Sequence, residues 1–293
     1  MDQTWTDLNS PTKDEVDSLM LSQNIDISVA KDLLTPTPKQ YASASGSSIY
    51  AVLHIPCFQH SVSLSTEQEI DFIISRDGLI TTRYDSIDAM HHFAKKIEVN
   101  EVFHKGDHSH IFFGLMKEIY GFLFNEIEYI KDWIKEIEKN IFEGYEKEMV
   151  FGISAAGRSV LTFKRILGPH QHVIVSLHDL SKDIFDDNFR RELMYLMTEW
   201  ERLNLEINNI SEMLDELRET NNSILSTKQN EIMKTFTILA FVTFPLSLIA
   251  TIFGMNSKHI PLVGQQYDFW IILGFMFGVS LAMFSYFKYK KWI

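Results

Sequence analysis

Two long uncharged segments near the C-terminal end constrain the fold of this chain more than any other feature. No charged residue occurs from Thr235 to Ser257, a run of 23 residues, or from Phe269 to Phe287, a run of 19. About 20 apolar residues are enough for a helix to cross the hydrocarbon core of a bilayer. Runs of this length favour membrane spans over the buried core helices of a soluble protein. We therefore predict two membrane-spanning helices.

The charges that flank the second span predict its orientation. Lys288, Lys290 and Lys291 follow the span, and basic residues favour the cytoplasmic side of a membrane. Two spans return the chain to the side from which it started, so the N-terminal body is predicted to be cytoplasmic as well. The first ten residues, MDQTWTDLNS, lack the basic start and apolar run of a secretory signal.

Composition and motifs argue against several classes of protein. The chain has 39 acidic and 27 basic residues, a net charge of -12, whereas a nucleic-acid binder needs a basic surface. The segment from Gly152 to Ser159, GISAAGRS, resembles a P-loop, but Arg158 replaces the lysine and the segment is predicted to lie within a helix. We therefore expect no ATP binding. No grouping of nucleophile, base and oxyanion donors is apparent, so an enzyme is not expected.

One short segment contains residue types that bind zinc. His104, Asp107, His108 and His110 are histidine and carboxylate side chains at close spacing. The alternative is a polar turn before a helix, in which Asp107 or Ser109 caps the first turn. The single cysteine of the chain rules out a cysteine-rich zinc module, and we favour the polar turn.

The body before the spans has the pattern of a mixed α and β domain. Residues 35–48 are rich in turn formers, and three strand candidates follow. These are Ile49–Ile55, which is ended by Pro56, Glu69–Ser75 and Leu79–Tyr84. An Asp-Gly pair joins the last two, which predicts a β-hairpin. From about residue 109 the pattern becomes helical, with one helix ending near Gly144 and a second predicted over Glu146–Ile166.

A third helix contains a seam of apolar residues at alternating steps of three and four. The seam consists of Phe189, Leu193, Leu196, Trp200, Leu203, Ile207, Ile210, Leu214, Leu217 and, after Asn221 at the skipped place, Ile224. Such a seam packs either against another copy of the chain or against the chain's own helices. No Pro or Gly occurs between Asp183 and Pro245, so the helix is predicted to run without a break from the body into the first span, over about 90 Å.

These patterns divide the chain into six predicted segments. They are a cytoplasmic α/β domain with a helical hairpin at 1–180, a long stalk helix at 181–231, the first transmembrane helix at 232–255, an outer loop at 256–268, the second transmembrane helix at 269–287 and a basic cytoplasmic tail at 288–293. Two spans cannot enclose a pore, so a conducting form would need several copies.

The end of the first span carries the tripeptide Gly254-Met255-Asn256. Its position before a second span, the preceding segment NEIMKTFTILAFVTFPLSLIATIFGMN, the ending KYKKWI and the opening TWTDLNSPTKDEVDSLM together resemble the CorA family of magnesium transporters. The resemblance covers the whole chain. It implies a homopentameric channel in the plasma (inner) membrane, with an α+β cytoplasmic domain, a sheet flanked by helices, and a long stalk helix that continues into the first of two C-terminal transmembrane helices.

The resemblance also implies functional positions. The selectivity filter would be Gly254, Met255 and Asn256. The pore-lining residues would be Asn230, Met233, Phe236, Ala240, Phe244, Ser247 and Thr251. For regulatory binding of intracellular Mg²⁺, Asp88 matches the acidic position of the small domain, and Glu192 and Glu199 are the nearest residues on the stalk. A solvated acidic face remains the alternative for each of these three carboxylates.

The implied function is entry of Mg²⁺, and of Co²⁺ or Ni²⁺, with Mg²⁺ as transported and regulatory ion and no other cofactor. Two alternatives stay open: a Zn²⁺ transporter coupled to protons, and a membrane-anchored coiled-coil scaffold that conducts nothing. The outer loop departs from the family because it begins with Lys258 and His259, Leu262 follows Pro261, and Asp268 is its single acid. This departure weakens the expected electrostatic attraction of cations to the mouth.

Overall fold

The computed structural model describes residues 5–23, 25–59, 64–99, 109–256 and 260–292. The chain forms two compact units, Met1–Glu219 and Thr220–Ile293. The first contains a five-stranded sheet and most of the helices, and the second contains the two long apolar segments. One helix contributes residues to both units.

The secondary structure alternates between short strands and helices before it becomes entirely helical. The strands are β1 (Trp5–Asn9), β2 (Tyr41–Ser45), β3 (Ser48–Gln59), β4 (Leu64–Ile74) and β5 (Leu79–Arg83). The helices are α1 (Lys13–Gln23), α2 (Ile27–Asp32), α3 (Asp88–Val99), α4 (Ser109–Asn140), α5 (Glu146–Leu167), α6 (His170–Leu180), α7 (Asp187–Gly254) and α8 (Asp268–Tyr289). The α+β architecture with a long helix continuing into the first of two apolar C-terminal helices is as predicted.

The sheet has the order β1-β5-β4-β3-β2, in which only the β1–β5 pair is parallel. The predicted hairpin between β4 and β5 is confirmed. Its turn is closed by the Ser75 N–H, which donates to the Gly78 carbonyl at 3.1 Å. The sequence pattern predicts neither β1 nor β2, because residues 35–48 have the composition of turns and the opening residues show no strand pattern.

Pro56 does not end its strand, contrary to the sequence-based prediction, because β3 continues to Gln59. β2 pairs with β3 only as far as Val52, so the remainder of β3 has β4 as its one strand neighbour in the described sheet. Proline lacks a backbone N–H and is tolerated where a strand edge needs no ladder donor. Two residues earlier, on the same free edge, the His54 carbonyl accepts a hydrogen bond from His170 Nε2 at 2.8 Å.

Each face of the sheet is covered by helices. On one face, Tyr50 and Ile73 are buried with Val16 of α1 and Leu33, which follows α2. On the other, Phe72 meets the Phe112 ring edge-on at 5.5 Å, and Phe112 in turn stacks on Phe189 at 6.5 Å. The start of α7 is therefore anchored in the core of the first unit.

The seam of α7 packs against the chain's own helices. Its residues from Phe189 to Leu217 are buried within the single chain. Trp200 Nε1 donates to the Leu167 carbonyl of α5 at 2.7 Å, and Lys131 of α4 lies 2.7 Å from Glu206. Asn221 is also buried, whereas Ile224 is only half-buried. Of the two interpretations of the seam, packing within the chain applies to this part of it.

α7 begins later than the predicted start of the stalk at residue 181. Residues 181–185 form turns and a bend, and the helix starts at Asp187. The Asp186 carboxylate accepts a hydrogen bond from the Phe189 N–H at 2.9 Å, which satisfies one of the free donors of the first turn. As predicted, the helix then continues through Pro245 to Gly254 without interruption.

α4 and α5 form a helical hairpin. The five residues Ile141–Tyr145 join them, and Gly144 there has φ of +102°. Glycine adopts this backbone conformation without the strain that a side chain would cause, so Gly144 allows the chain to reverse between the two helices. An unpredicted helix, α6, follows the Gly168-Pro169 break after α5.

Candidate functional site

The second unit contains the two helices that are long and apolar enough to cross a membrane. They are the last part of α7 and the whole of α8. Within their most apolar windows, 11% and 0% of the residues are buried inside the single chain. Large apolar surfaces of this kind need lipid or another protein to cover them.

α8 packs against one face of α7. Ile238 and Val242 of α7 and Phe287 of α8 are buried together, and Leu246 and Met283 pack against them. The α7 residues follow a spacing of four, which places them on one side of the helix. This side of α7 is therefore the side that contacts α8 of the same chain.

The residues predicted to line a pore lie on the side of α7 that faces away from this contact. At about 100° per residue they fall within an arc of roughly 120°, whose centre is about 180° from the centre of the three α8-contacting residues. All are exposed in the single chain: Asn230, Met233, Phe236, Ala240, Phe244, Ser247 and Thr251. Phe244 has 80% of its surface exposed, more than Met233 at 57% or Phe236 at 62%. A bulky aromatic ring left uncovered indicates a face that another surface completes.

The polar members of this face carry acceptor oxygens. The Thr251 hydroxyl donates its hydrogen to the Ser247 carbonyl at 2.7 Å, so its remaining lone pairs point outward as acceptors. Thr237, which falls within the same arc of the helix, makes an equivalent bond to the Met233 carbonyl at 2.8 Å. A hydroxyl that already donates its proton to a backbone carbonyl can act only as an acceptor towards other groups. Its oxygen therefore suits a cation or the water bound to a cation.

The tripeptide from Gly254 to Asn256 lies where α7 ends. The last carbonyls of a helix have no partner within it, and they form the negative end of the helix dipole. Met255 and Asn256 are both exposed just beyond this end. The side-chain carbonyl of Asn256 therefore adds an uncharged acceptor to a position that already favours cations.

The single acid of the outer loop supports the start of α8. The Asp268 carboxylate accepts hydrogen bonds from the Gly264 N–H at 3.0 Å and from the Phe269 N–H at 2.7 Å. Lys258 and His259 lie outside the described residues. The carboxylate acts as a local cap here, which agrees with weak steering of cations by this loop.

The predicted regulatory carboxylates lie apart from any metal centre that one chain could form. Asp88 is exposed in the first turn of α3, and Glu192 is half-exposed on α7. Glu199 pairs with Arg202 at 3.0 Å, and the Arg202 guanidinium lies over the Phe124 ring at 5.4 Å. Among the described residues, no group of three His, Cys, Asp or Glu side chains is arranged to hold a metal ion.

The zinc-type and P-loop segments do not form sites in the described chain. His110 is exposed at the start of α4, while His104, Asp107 and His108 lie outside the described residues. The segment GISAAGRS is helical throughout and belongs to α5, which follows another helix. A P-loop connects a strand to a helix N-terminus, so this segment has the wrong conformation for phosphate binding.

A polar cluster that the sequence analysis did not identify surrounds His54 in the first unit. Its Nδ1 lies 2.5 Å from Glu67 Oε1, and its Nε2 lies 3.0 Å from the Thr37 carbonyl. Both partners are acceptors, so the geometry requires a proton on each ring nitrogen. Burial alone lowers the pKa of His54, but the hydrogen bonds that its ring donates to Glu69 and Glu67 outweigh burial and raise the pKa above its usual value. Arg165 completes the cluster at 2.7 Å from Glu67.

The charged state of His54 predicts a pH-dependent stability. Because its pKa is raised in the folded protein, the stabilisation is fully present below the unfolded pKa of about 6.5 and is lost as pH rises through the folded pKa. We expect His54→Gln to unfold more easily than wild type at pH 6, by about 1.5–3 kcal/mol, with the difference shrinking towards pH 9. Chemical unfolding of the full-length protein at several pH values measures this.

The control for this prediction is His91→Gln, since His91 is exposed on α3. The His91 variant should keep the pH slope of wild type. Asp71 also contributes to the pH dependence of stability. It accepts hydrogen bonds from Tyr50 and Thr82, and its burial raises its pKa to about 7. Ionising Asp71 costs stability as pH rises from about 4 towards 7, so Asp71→Asn should flatten that part of the curve. An unchanged pH slope in His54→Gln would contradict the assigned charge.

Comparisons with known proteins agree with the fold. A model of the family described as "CorA-like Mg2+ transporter protein" matches residues 2–290. The cobalt/magnesium transport protein CorA of Thermotoga maritima is 22% identical over an alignment of 269 residues that covers 90% of this chain and 76% of that protein. CorA of Methanocaldococcus jannaschii is 23% identical over an alignment of 295 residues that covers 99% of this chain and 91% of that protein.

Solved structures share the same fold. The complete structure of the CorA magnesium transporter from Methanocaldococcus jannaschii has a TM-score of 0.86, at 21% sequence identity. The match covers 99% of this chain and 91% of that chain, so both units have counterparts in that structure.

Proposed function

Because the chain belongs to the CorA-like Mg²⁺ transporter protein family, we propose that it conducts Mg²⁺, and also Co²⁺ or Ni²⁺, into the cytoplasm down the electrochemical gradient. The observation that carries the proposal is the family match over residues 2–290, which includes both apolar helices. The protein is an inner-membrane protein with two C-terminal spans, and its body and both termini are cytoplasmic.

The conducting form is an oligomer in which α7 lines the axis. The side of α7 opposite to the α8 contact is uncovered in the single chain, and rotation about a common axis would bring this side of each copy together. α8 would then form the outer ring against lipid. The number five comes from the family resemblance, which implies a homopentamer.

The filter in this proposal is a ring of Asn256 side chains with Gly254 and Met255. Mg²⁺ releases its water reluctantly, so a neutral carbonyl that accepts hydrogen bonds from bound water can select the hydrated ion without stripping it. The C-terminal ends of the α7 helices add negative partial charge at the same level. Together these groups compensate for an outer loop that has little free negative charge.

The gate in this proposal is hydrophobic. Met233, Phe236 and Phe244 are exposed apolar side chains on the lining side of α7. Rings of such side chains around a narrow axis exclude water, and a hydrated ion cannot pass a dry segment. Polar side chains would lie on either side of this hydrophobic segment along the axis, with Asn230 on the cytoplasmic side and Ser247 and Thr251 on the outer side.

Regulation by intracellular Mg²⁺ is assigned to carboxylates at contacts between subunits. Asp88, Glu192 and Glu199 are the residues proposed for it. The segment from Ser181 to Asn230 has 11 acidic and 6 basic residues, so bringing copies together along it would create a field that binds cations. Since Glu199 is already paired with Arg202, we expect Asp88 and Glu192 to contribute more.

The driving force in this proposal is the membrane potential, without ATP. A divalent ion gains about 4.6 kcal/mol for every 100 mV, twice the value for one charge. At 100 mV this corresponds to an accumulation ratio of roughly two-thousandfold at equilibrium. The experiment is Mg²⁺ entry into proteoliposomes, read by a trapped dye, with the voltage set by a K⁺ gradient and low Mg²⁺ on the cytoplasmic face.

The outcomes of this experiment separate the proposed function from its alternatives. Mg²⁺ entry that increases with an inside-negative voltage and does not depend on a pH gradient supports a Mg²⁺ channel. Entry of Zn²⁺ that follows a proton gradient, with no Mg²⁺ entry, would instead indicate a proton-coupled zinc transporter. Correctly inserted protein that passes neither ion would leave a membrane-anchored scaffold.

A further inference from the structure

An apolar groove lies between α7 and α8 at the end of α8. Its volume is about 560 Å³, which is in the range of small-molecule sites. The residues that line it are Phe241, Val279, Ala282, Met283, Tyr286, Phe287 and Trp292. This end of α8 is the cytoplasmic end, so the groove lies at the depth of the inner leaflet.

The end of the chain folds back over the groove. The Trp292 N–H donates to the Phe287 carbonyl at 2.9 Å, and the two rings stack at 5.8 Å. Lys291 has φ of +55°, the left-handed conformation that this reversal requires. The indole is thereby held at the mouth of the groove, where aromatic rings favour the boundary between hydrocarbon and water.

Three lysines are sequence neighbours of residues that line this groove. Lys288 follows the lining residue Phe287, Lys290 and Lys291 precede Trp292, and all three lysines are exposed. Among the described residues they make no ion pair with a carboxylate, and the sequence has no acidic residue from Phe269 to the end. On α7, Lys234 lies two turns before the lining residue Phe241 and on the same side of the helix. The apolar groove therefore ends in uncompensated positive charge.

We propose that this groove binds an anionic phospholipid, with an acyl chain in the groove and the headgroup phosphate against Lys288, Lys290 and Lys291. Basic pockets between transmembrane helices on the cytoplasmic side select negatively charged headgroups, and an apolar cleft beside them accepts the chain. An anionic phospholipid has both an acyl chain and a negatively charged headgroup. A free phosphate lacks the chain, and a neutral lipid lacks the net charge. The site requires the membrane location of α8 and is independent of ion conduction.

A second copy of the chain is the competing occupant, and its charge disfavours it. Copies related by rotation about an axis normal to the membrane place the same residues at the same depth. A neighbour would therefore bring its own three lysines towards the mouth of the groove, and the one acid of its α8, Asp268, lies at the opposite end of that helix and cannot balance them. Like charges at close range oppose this arrangement.

The test uses Trp292 as a reporter in the full-length protein. The protein is reconstituted in phosphatidylcholine vesicles with increasing amounts of brominated phosphatidylglycerol or brominated phosphatidylcholine, since bromine quenches a tryptophan that it touches. The Trp292 signal is the difference between wild type and Trp292→Phe. We expect brominated phosphatidylglycerol to reach half-quenching at a several-fold lower mole fraction than brominated phosphatidylcholine.

Matched controls separate a site from general lipid contact. Trp270, at the opposite end of α8, should show no preference between the two lipids, measured with Trp270→Phe. The triple variant Lys288→Gln, Lys290→Gln, Lys291→Gln should lose the preference at Trp292. The same charge change in the first unit, Lys13→Gln, Lys31→Gln, Lys39→Gln, should keep it.

Three results would overturn the proposal. Equal quenching of Trp292 by the two lipids would mean ordinary contact with the bilayer. Absence of quenching by either lipid, in protein whose Trp270 is quenched, would mean that another copy covers the groove. A preference that survives the triple lysine change would mean that these lysines do not hold the headgroup.

Discussion

Replacing Asn256 with alanine is expected to reduce voltage-driven Mg²⁺ entry to the level of vesicles without protein. The residue lies just beyond the last turn of α7 with its side chain exposed, and alanine removes the carbonyl that would accept hydrogen bonds from the hydrated ion. Without that ring, the hydrated ion loses the hydrogen-bond acceptors of the proposed filter. The measurement is the initial rate of dye-reported Mg²⁺ entry at a fixed voltage.

Gln265→Ala is the matched control for this prediction. Gln265 is an exposed amide in the same outer loop, so its loss should leave the entry rate within about twofold of wild type. Asn256→Asp should behave differently from both variants, because five carboxylates would bind the ion more tightly and release it more slowly. Normal flux in Asn256→Ala, at equal protein incorporation, would place the filter elsewhere.

Replacing Phe244 with serine is expected to open the pathway when Mg²⁺ is high on the cytoplasmic face. Under that condition the wild-type channel is expected to be closed. Phe244 is 80% exposed on the lining side of α7, and its ring is the largest apolar group at that level. A hydroxyl in its place lets water remain in the segment, which lowers the barrier for a hydrated ion. We expect the residual entry rate to rise by about tenfold or more, a barrier change of about 1.4 kcal/mol.

The control is Leu239→Ser on a different side of the same helix. Leu239 is also exposed, at 61%, but it lies about 120° from the centre of the proposed lining side. It should face lipid or the neighbouring ring of helices, and its change should leave the closed-state rate near that of wild type. Equal leak in the two variants would show that the effect comes from disturbed packing and would remove Phe244 from the gate.

The features that follow from local periodicity are predictable from the sequence. The two uncharged runs indicate α8 and the end of α7 because a bilayer demands long charge-free helices. The alternation of three and four from Phe189 to Leu217 predicts a buried face, and the structure buries it. The Asp-Gly turn predicts the hairpin because its backbone conformation suits few other residues.

The features that depend on distant partners are not predictable in this way. β1, with the sequence WTDLN, is too short and polar to form a strand alone, and it forms one because it pairs in parallel with β5, more than seventy residues later. β2 consists of small residues that resemble a turn-rich segment. The His54 cluster combines residues from β3, β4, α5 and the segment before β2, and no spacing along the chain indicates it.

The candidate site also has features that local periodicity predicts and features that it does not predict. The proposed lining positions come from the family resemblance, and their spacing of three and four shows from the sequence alone that they share one face of a helix. Which face meets α8 does not follow from spacing, because α8 is apolar all round and has no polar side to exclude. The groove near Trp292 depends on the reversal at Lys291, a backbone conformation that lysine adopts rarely and that no motif predicts.

The free edge of β3 has a consequence for how copies of this protein meet. An open strand edge is a template for pairing with another chain, and such pairing leads to aggregation. Here the His54 carbonyl on that edge is occupied by His170, and Pro56, two residues further along it, has no N–H to offer. This stretch therefore offers a neighbour neither a free carbonyl at His54 nor an N–H at Pro56, which disfavours the pairing of a second strand there. Contacts between copies along this part of β3 are expected to come from helices and side chains.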